Sequence, residues 1–131
     1  MYVLLLNGTN VDLAKEEVLA LADRKEFFLN DRLLLIDKKI EFNRLAFTNK
    51  VYKLIATVNN LDKEIDKIDF QKYYKKNFCV RIIKIPSNLE TGYSERTLGS
   101  LIWKKLKKPK VDFSHPNTKF YFIFTKEKIF V

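Results

Sequence analysis

Glycine is scarce in this chain of 131 residues, present only as Gly8, Gly92 and Gly99. No two stand close enough to form a phosphate-cradling loop, which excludes a P-loop or a dinucleotide fingerprint. The three prolines, Pro86, Pro109 and Pro116, are equally isolated. A single cysteine, Cys79, excludes an internal disulfide and fits a reducing, cytoplasmic setting. With one histidine, His115, it cannot furnish a zinc site of nitrogen and sulfur ligands. The longest apolar runs, such as residues 2–6 and 120–124, fall far below the ~18 residues that span a bilayer. The first of them has no basic residue before it and no small-residue cleavage site after it. Neither a membrane span nor a secretory leader is expected.

Groups suited to catalysis are also few. Cys79 lies in the run Phe78-Cys79-Val80-Arg81-Ile82-Ile83, which reads as a buried strand, and nothing near it in sequence would lower its pKa. His115 falls in a polar turn, Ser114-His115-Pro116-Asn117. The carboxylates of Glu16, Glu17, Asp62, Glu64 and Asp66 are interleaved with lysine on helix-like stretches, as on a solvated face. The chain by itself reads as non-catalytic.

Its material is otherwise that of a folded domain: 47% hydrophobic, 14% aromatic and 31% charged, enough apolar content for a core. The formal net charge of +9 is unevenly spread. Residues 1–70 carry 11 Lys/Arg against 12 Asp/Glu, a net of −1, whereas residues 71–131 carry 14 against 4, a net of +10. A neutral half joined to a strongly basic one points to a polyanion facing the second half.

Periodicity divides the first half into a strand at residues 2–6 and a helix with Asp12 as N-cap. Val11, Ala14, Val18, Leu21 and Ala22 form that helix's buried face. A hairpin over 26–40, a short helix at 42–47 and a strand at 51–58 follow. The order β-α-β-β-α-β is the ferredoxin-like split arrangement. We place a domain boundary at 60/61, giving domains 1–60 and 61–131. The second domain reads as a helical stretch bearing Leu61, Ile65, Ile68 and Phe70, a strand at 78–85, a helix capped by Ser94 and ended by Pro109, and a closing strand pair at 119–125 and 128–131.

At 100° per residue, Leu98, Leu101, Ile102 and Leu106 share one arc of that helix, and Arg96, Ser100, Lys104, Lys107 and Lys108 the opposite one, with Trp103 at its edge. Lys105 falls within the apolar arc, so either its stem snorkels or the helix turns there. Lys72, Lys75, Lys76, Arg81 and Lys84 add to the basic set. Cations gathered on one exposed surface are what a phosphate backbone requires. Tyr73, Tyr74, Tyr93 and Trp103, interleaved with them, are of the type on which unstacked bases stack, or are half-buried core residues with polar tips.

Several residues together carry a resemblance: Phe78-Cys79-Val80-Arg81, Ser94, Leu98-Gly99, and Lys110-Val111-Asp112-Phe113-Ser114-His115-Pro116-Asn117-Thr118. On these the second half resembles a THUMP domain, an RNA-binding module of tRNA-modifying enzymes. The first half is similar to the ferredoxin-like domain that precedes it, through Asp12-Leu13-Ala14, Glu17, Arg44-Leu45-Ala46 and Thr48-Asn49-Lys50-Val51. Together they cover nearly the whole chain and resemble the N-terminal region of the archaeal tRNA guanine-10 N2-methyltransferases. The resemblance implies an α+β fold and tRNA as partner, held by its acceptor stem and 3′ end. It places Arg81, Ser94 and residues 110–118, Lys110 included, in the module. It also implies a following catalytic domain that uses S-adenosylmethionine, with no cofactor in the present chain. The catalytic signature of that domain, a polar residue followed by Pro-Pro and an aromatic, cannot occur where no two prolines adjoin. The candidate RNA contacts are therefore Lys72, Lys75, Lys76, Arg81, Lys84, Ser94, Arg96, Trp103, Lys104, Lys107, Lys108 and Lys110. Two alternatives remain: the THUMP region of a tRNA 4-thiouridine synthase, and a basic adaptor that docks an acidic protein.

Overall fold

A computed structural model describes residues 1–9, 11–22, 28–30, 32–37, 42–46 and 48–131. The chain forms two compact units, Met1–Leu54 and Ile55–Val131. The division falls between Leu54 and Ile55 rather than at 60/61.

In the first unit β1 (Tyr2–Leu6) is followed by α1 (Val11–Ala22), β2 (Phe28–Asn30), β3 (Leu33–Ile36), a single 3-10 turn (Phe42–Arg44) and β4 (Thr48–Lys53). The sheet is antiparallel in the order β2-β3-β1-β4, the order of the split arrangement expected from the sequence. Leu4 and Leu6 of β1 meet Leu34 and Ile36 of β3, and Ala14 and Val18 of α1 close this core. Asp12 lies inside the first turn of α1 rather than capping it, where its charge still complements the helix dipole. The helix expected at 42–47 is reduced to the 3-10 turn. The second strand of the hairpin expected over 26–40 is Leu33–Ile36; residues 23–27 and 38–41, on which the ends of the helix and hairpin fall, lie outside the described residues.

The second unit holds β5 (Thr57–Val58), α2 (Leu61–Glu64) running into a 3-10 turn (Ile65–Lys67), β6 (Phe78–Ile85), α3 (Glu95–Trp103), β7 (Thr118–Thr125) and β8 (Ile129–Phe130). Its sheet is mixed, in the order β5-β8-β7-β6. Strands β6 and β7 run parallel, with α3 in the crossover between them. The strand expected over 51–58 is thereby two strands: β4 pairs with β1, and β5 with β8. Four phenylalanines dominate the core, Phe70 meeting Phe120 edge-on at 5.2 Å and Phe78 meeting Phe120 at 6.0 Å, with Phe122 tilted on Phe70. Leu61, Ile65 and Ile68 are buried against the same core, as are Leu98, Ile102 and Leu106. Cys79 is buried.

Candidate nucleic-acid interface

Helix α3 supplies one wall of the site. Ser94 caps it: its Oγ accepts the Thr97 N–H at 3.1 Å and lies 2.8 Å from the Thr97 hydroxyl. The cap starts a helix of 9 residues that buries Leu98 and Ile102. The outer face of α3 then lines a groove of about 720 Å³, opposite Phe78, Cys79 and Val80 of β6 and the segment bearing Val111 and Phe113. Arg96, Ser100 and Trp103 of α3, and Lys104 just beyond it, face this groove. Trp103 is 46% exposed and Phe113 70%. Of the four large apolar side chains exposed among the described residues, two thus line one groove, beside Arg96 and Lys104.

The helix ends at Trp103, short of Pro109. Lys104, Lys105, Lys107 and Lys108 bring four positive charges into five residues with no acid among them, and like charges three or four apart weaken a helix. The backbone tightens at once: the Lys105 N–H bonds to the Ile102 carbonyl at 2.9 Å and the Leu106 N–H to that of Trp103 at 3.3 Å, both i→i−3. Lys107 and Lys108 are therefore not on a helical face with Arg96 and Lys104, a correction to the arc drawn from the sequence. Leu106 nevertheless stays buried.

That early end lets the second basic stretch meet the first. The Lys107 N–H bonds to the Gln71 side chain at 2.8 Å. The Tyr74 hydroxyl lies 2.5 Å from the Lys76 carbonyl and 3.1 Å from the Lys108 carbonyl, and accepts the Lys110 N–H at 3.0 Å. The Phe78 N–H then bonds to the Lys110 carbonyl, and the Asp112 N–H to that of Phe78. Thr118 and Asn77 add the Lys75 N–H and the Asn117 N–H to the same seam. Asp112 forms the following turn, its carboxylate accepting the Ser114 and His115 N–H groups, both at 3.0 Å. Those two bonds, the His115 one foremost, hold its pKa below the usual carboxylate value.

Lys75, Lys76, Lys107, Lys108 and Lys110 are thus gathered from two segments, with Lys104 and Arg96 on the adjoining groove. All seven are exposed, and none has an ion-pair partner within 4.0 Å among the described residues. Lys72 is exposed and its ammonium sits over the Tyr73 ring at 5.5 Å. Arg81 is half-exposed and engaged within its own unit, donating to the Val80 and Phe113 carbonyls and lying 3.7 Å from Glu95. Lys84 stands near the far end of β6, about 20 Å along the strand from Phe78, and is not brought to the cluster. Lys105 is set apart too. Its ammonium donates to the Ile65 carbonyl at 2.7 Å and lies 4.0 Å from Asp66.

The three tyrosines follow the core reading: Tyr73 packs on the core, Tyr74 meets Phe78 edge-on, and Tyr93 stacks on Phe124. The Tyr93 hydroxyl donates to Asp62 at 2.6 Å. Burial and, next, that hydrogen bond push the phenol up to about 12. Phe113 is an exposed groove residue that the sequence reading did not single out as a contact. A large apolar residue between Asp112 and the polar turn Ser114-His115-Pro116, too short a stretch to bury it, was its signal. Among the described residues no group of three His, Cys, Asp or Glu could hold a metal, and no helix is long and apolar enough to cross a membrane.

The arrangement defines a mixed α/β protein with an antiparallel sheet in one unit and a mixed sheet in the other, and this fold is found in a solved structure. TrmN from Thermus thermophilus superposes with a TM-score of 0.73 over 98% of this chain and 43% of that one, at 15% identity. In sequence, the chain is 35% identical over 82 residues, 61% of its length, to the tRNA (guanine(10)-N2)-dimethyltransferase of Methanothermobacter thermautotrophicus. The matched region is 24% of that enzyme, so the chain spans about a quarter of the curated relative. No family model matches the chain.

Proposed function

We propose that this chain is the RNA-holding region of a tRNA guanine-10 N2-methyltransferase. In this reading the unit Ile55–Val131 is a THUMP-type module that grips the acceptor stem and 3′ end of tRNA. Methyl transfer from S-adenosylmethionine belongs to a covalently linked catalytic domain outside these 131 residues. The observation that carries the reading is the juxtaposition of cations that make no ion pair among the described residues with a groove bearing two exposed aromatics. Flexible ammonium groups take the phosphates by releasing counterions, and the aromatics take bases that have left the stack. The similarity to a guanine-10 dimethyltransferase favours a methyltransferase over a thiouridine synthase as the parent enzyme.

The test is tRNA binding across a salt series, with Lys104→Glu/Lys107→Glu/Lys108→Glu compared with the wild-type chain. Each lost phosphate contact removes roughly one unit of slope in log K against log salt, so the triple variant flattens it by about two to three units. A slope equal to that of the wild type overturns the proposal, as does binding of an acidic protein partner that survives nuclease treatment and is not competed by free tRNA.

A further inference from the structure

Two lysines in the second unit adopt a backbone conformation that L-residues avoid. Lys76 has φ 44° and Lys108 φ 50°, and among the described residues these are the only non-glycine positions with positive φ. A left-handed lysine is strained relative to the glycine or asparagine that normally fills such a position, and strain of this kind persists where the surroundings over-determine it. Here both strained residues present their carbonyls to one hydroxyl, that of Tyr74, which also accepts the Lys110 N–H. Both lysine side chains are exposed and make no ion pair among the described residues, so the conformation serves no packing of their own.

We propose that Tyr74 is a positioning residue for RNA phosphate. Its hydroxyl clasps the two basic segments so that Lys75 and Lys76 stand beside Lys108 and Lys110 as one cationic surface. The inference rests on the RNA-binding reading above and adds to it a group that carries no charge. Phosphates along a backbone are spaced by covalent geometry, so cations on two separately mobile segments engage fewer of them at once than cations on segments tied together. Pinning the segments beforehand removes an ordering cost from binding. The ring has a separate task, packing edge-on against Phe78 at 5.9 Å, and that task survives loss of the hydroxyl.

The experiment measures binding of a tRNA transcript to the 131-residue chain over a salt series, below its unfolding temperature, for Tyr74→Phe, for Lys107→Gln/Lys108→Gln and for Tyr93→Phe. Tyr93→Phe deletes a hydrogen-bonded hydroxyl of the same unit outside the clasp, and so controls for a purely structural loss. Tyr74→Phe should lower affinity about tenfold at low salt and flatten the salt slope by about one unit, although net charge is unchanged. Tyr93→Phe should leave both as in the wild type. Combining Tyr74→Phe with the lysine pair should cost less than the product of the separate losses, because they act on the same contacts. If the lysine pair flattens the slope and Tyr74→Phe does not, the clasp is refuted while RNA binding stands. If neither moves the slope, the RNA-binding reading falls and the clasp with it.

Discussion

Replacing Trp103 by Ala separates stacking from charge. The indole is 46% exposed on the last turn of α3, so its truncation removes roughly half of the ring's contact area and should cost about 1–3 kcal/mol of stability, and binding is read well below the unfolding temperature. Stacking of one base on an aromatic contributes ~1–3 kcal/mol, and 1.4 kcal/mol is tenfold in affinity. Binding of a single-stranded oligoribonucleotide should therefore weaken about 5- to 140-fold. The indole carries no charge, so the salt slope should stay that of the wild type, the reverse of what the lysine variants do. Trp103 is the only tryptophan of the chain, and its own fluorescence reports the event. Titrating wild-type protein should quench that emission in step with binding followed independently through a dye on the RNA. If the RNA binds with no change in emission, and Trp103→Ala binds within about twofold of wild type, stacking at the groove is refuted.

Other expectations concern stability. Ser94→Ala removes the acceptor for the Thr97 N–H and should cost about 1 kcal/mol in urea denaturation, with Ser94→Gly costing less. The Tyr93 phenol is raised to about 12 by burial and by Asp62, so it favours the native state at all pH values below its unfolded value near 10. That contribution is lost as pH rises through about 12, and Tyr93→Phe should flatten the alkaline fall in urea midpoint within that window.

Much of this molecule can be read from local chemistry. Alternation and turn residues locate β6, β7 and β8, since a run such as Phe78–Ile85 has few other ways to bury its apolar side chains. The Ser94 cap follows from a hydroxyl placed just ahead of an apolar period of 3.6. The split of residues 51–58 into β4 and β5 was not legible. Both pieces are strand-like, and it is partner choice, β1 for one and β8 for the other, that divides them. The commitment of Arg81 was equally hidden, because its partners lie 14 and 32 residues away at Glu95 and Phe113. The charge contrast between the halves points to the second unit, but only tertiary hydrogen bonds show which of its cations converge.

The end of α3 shows how one local property serves both folding and the site. Had the helix run on to Pro109, each added residue would have carried the lysines about 1.5 Å further along its axis. The same succession of cations that would supply phosphate ligands also makes that extension costly, by repulsion between positions three and four apart. The chain turns instead, passes through the left-handed Lys108, and at Lys110 gives its amide to the Tyr74 hydroxyl and its carbonyl to the Phe78 N–H. From there it becomes the groove wall that carries Val111 and Phe113. Lysines crowded in this way repel one another, and a polyanion lying across them would offset the electrostatic cost of assembling the surface. Affinity and local stability are then linked: whatever binds the cations also stabilises the seam that gathers them.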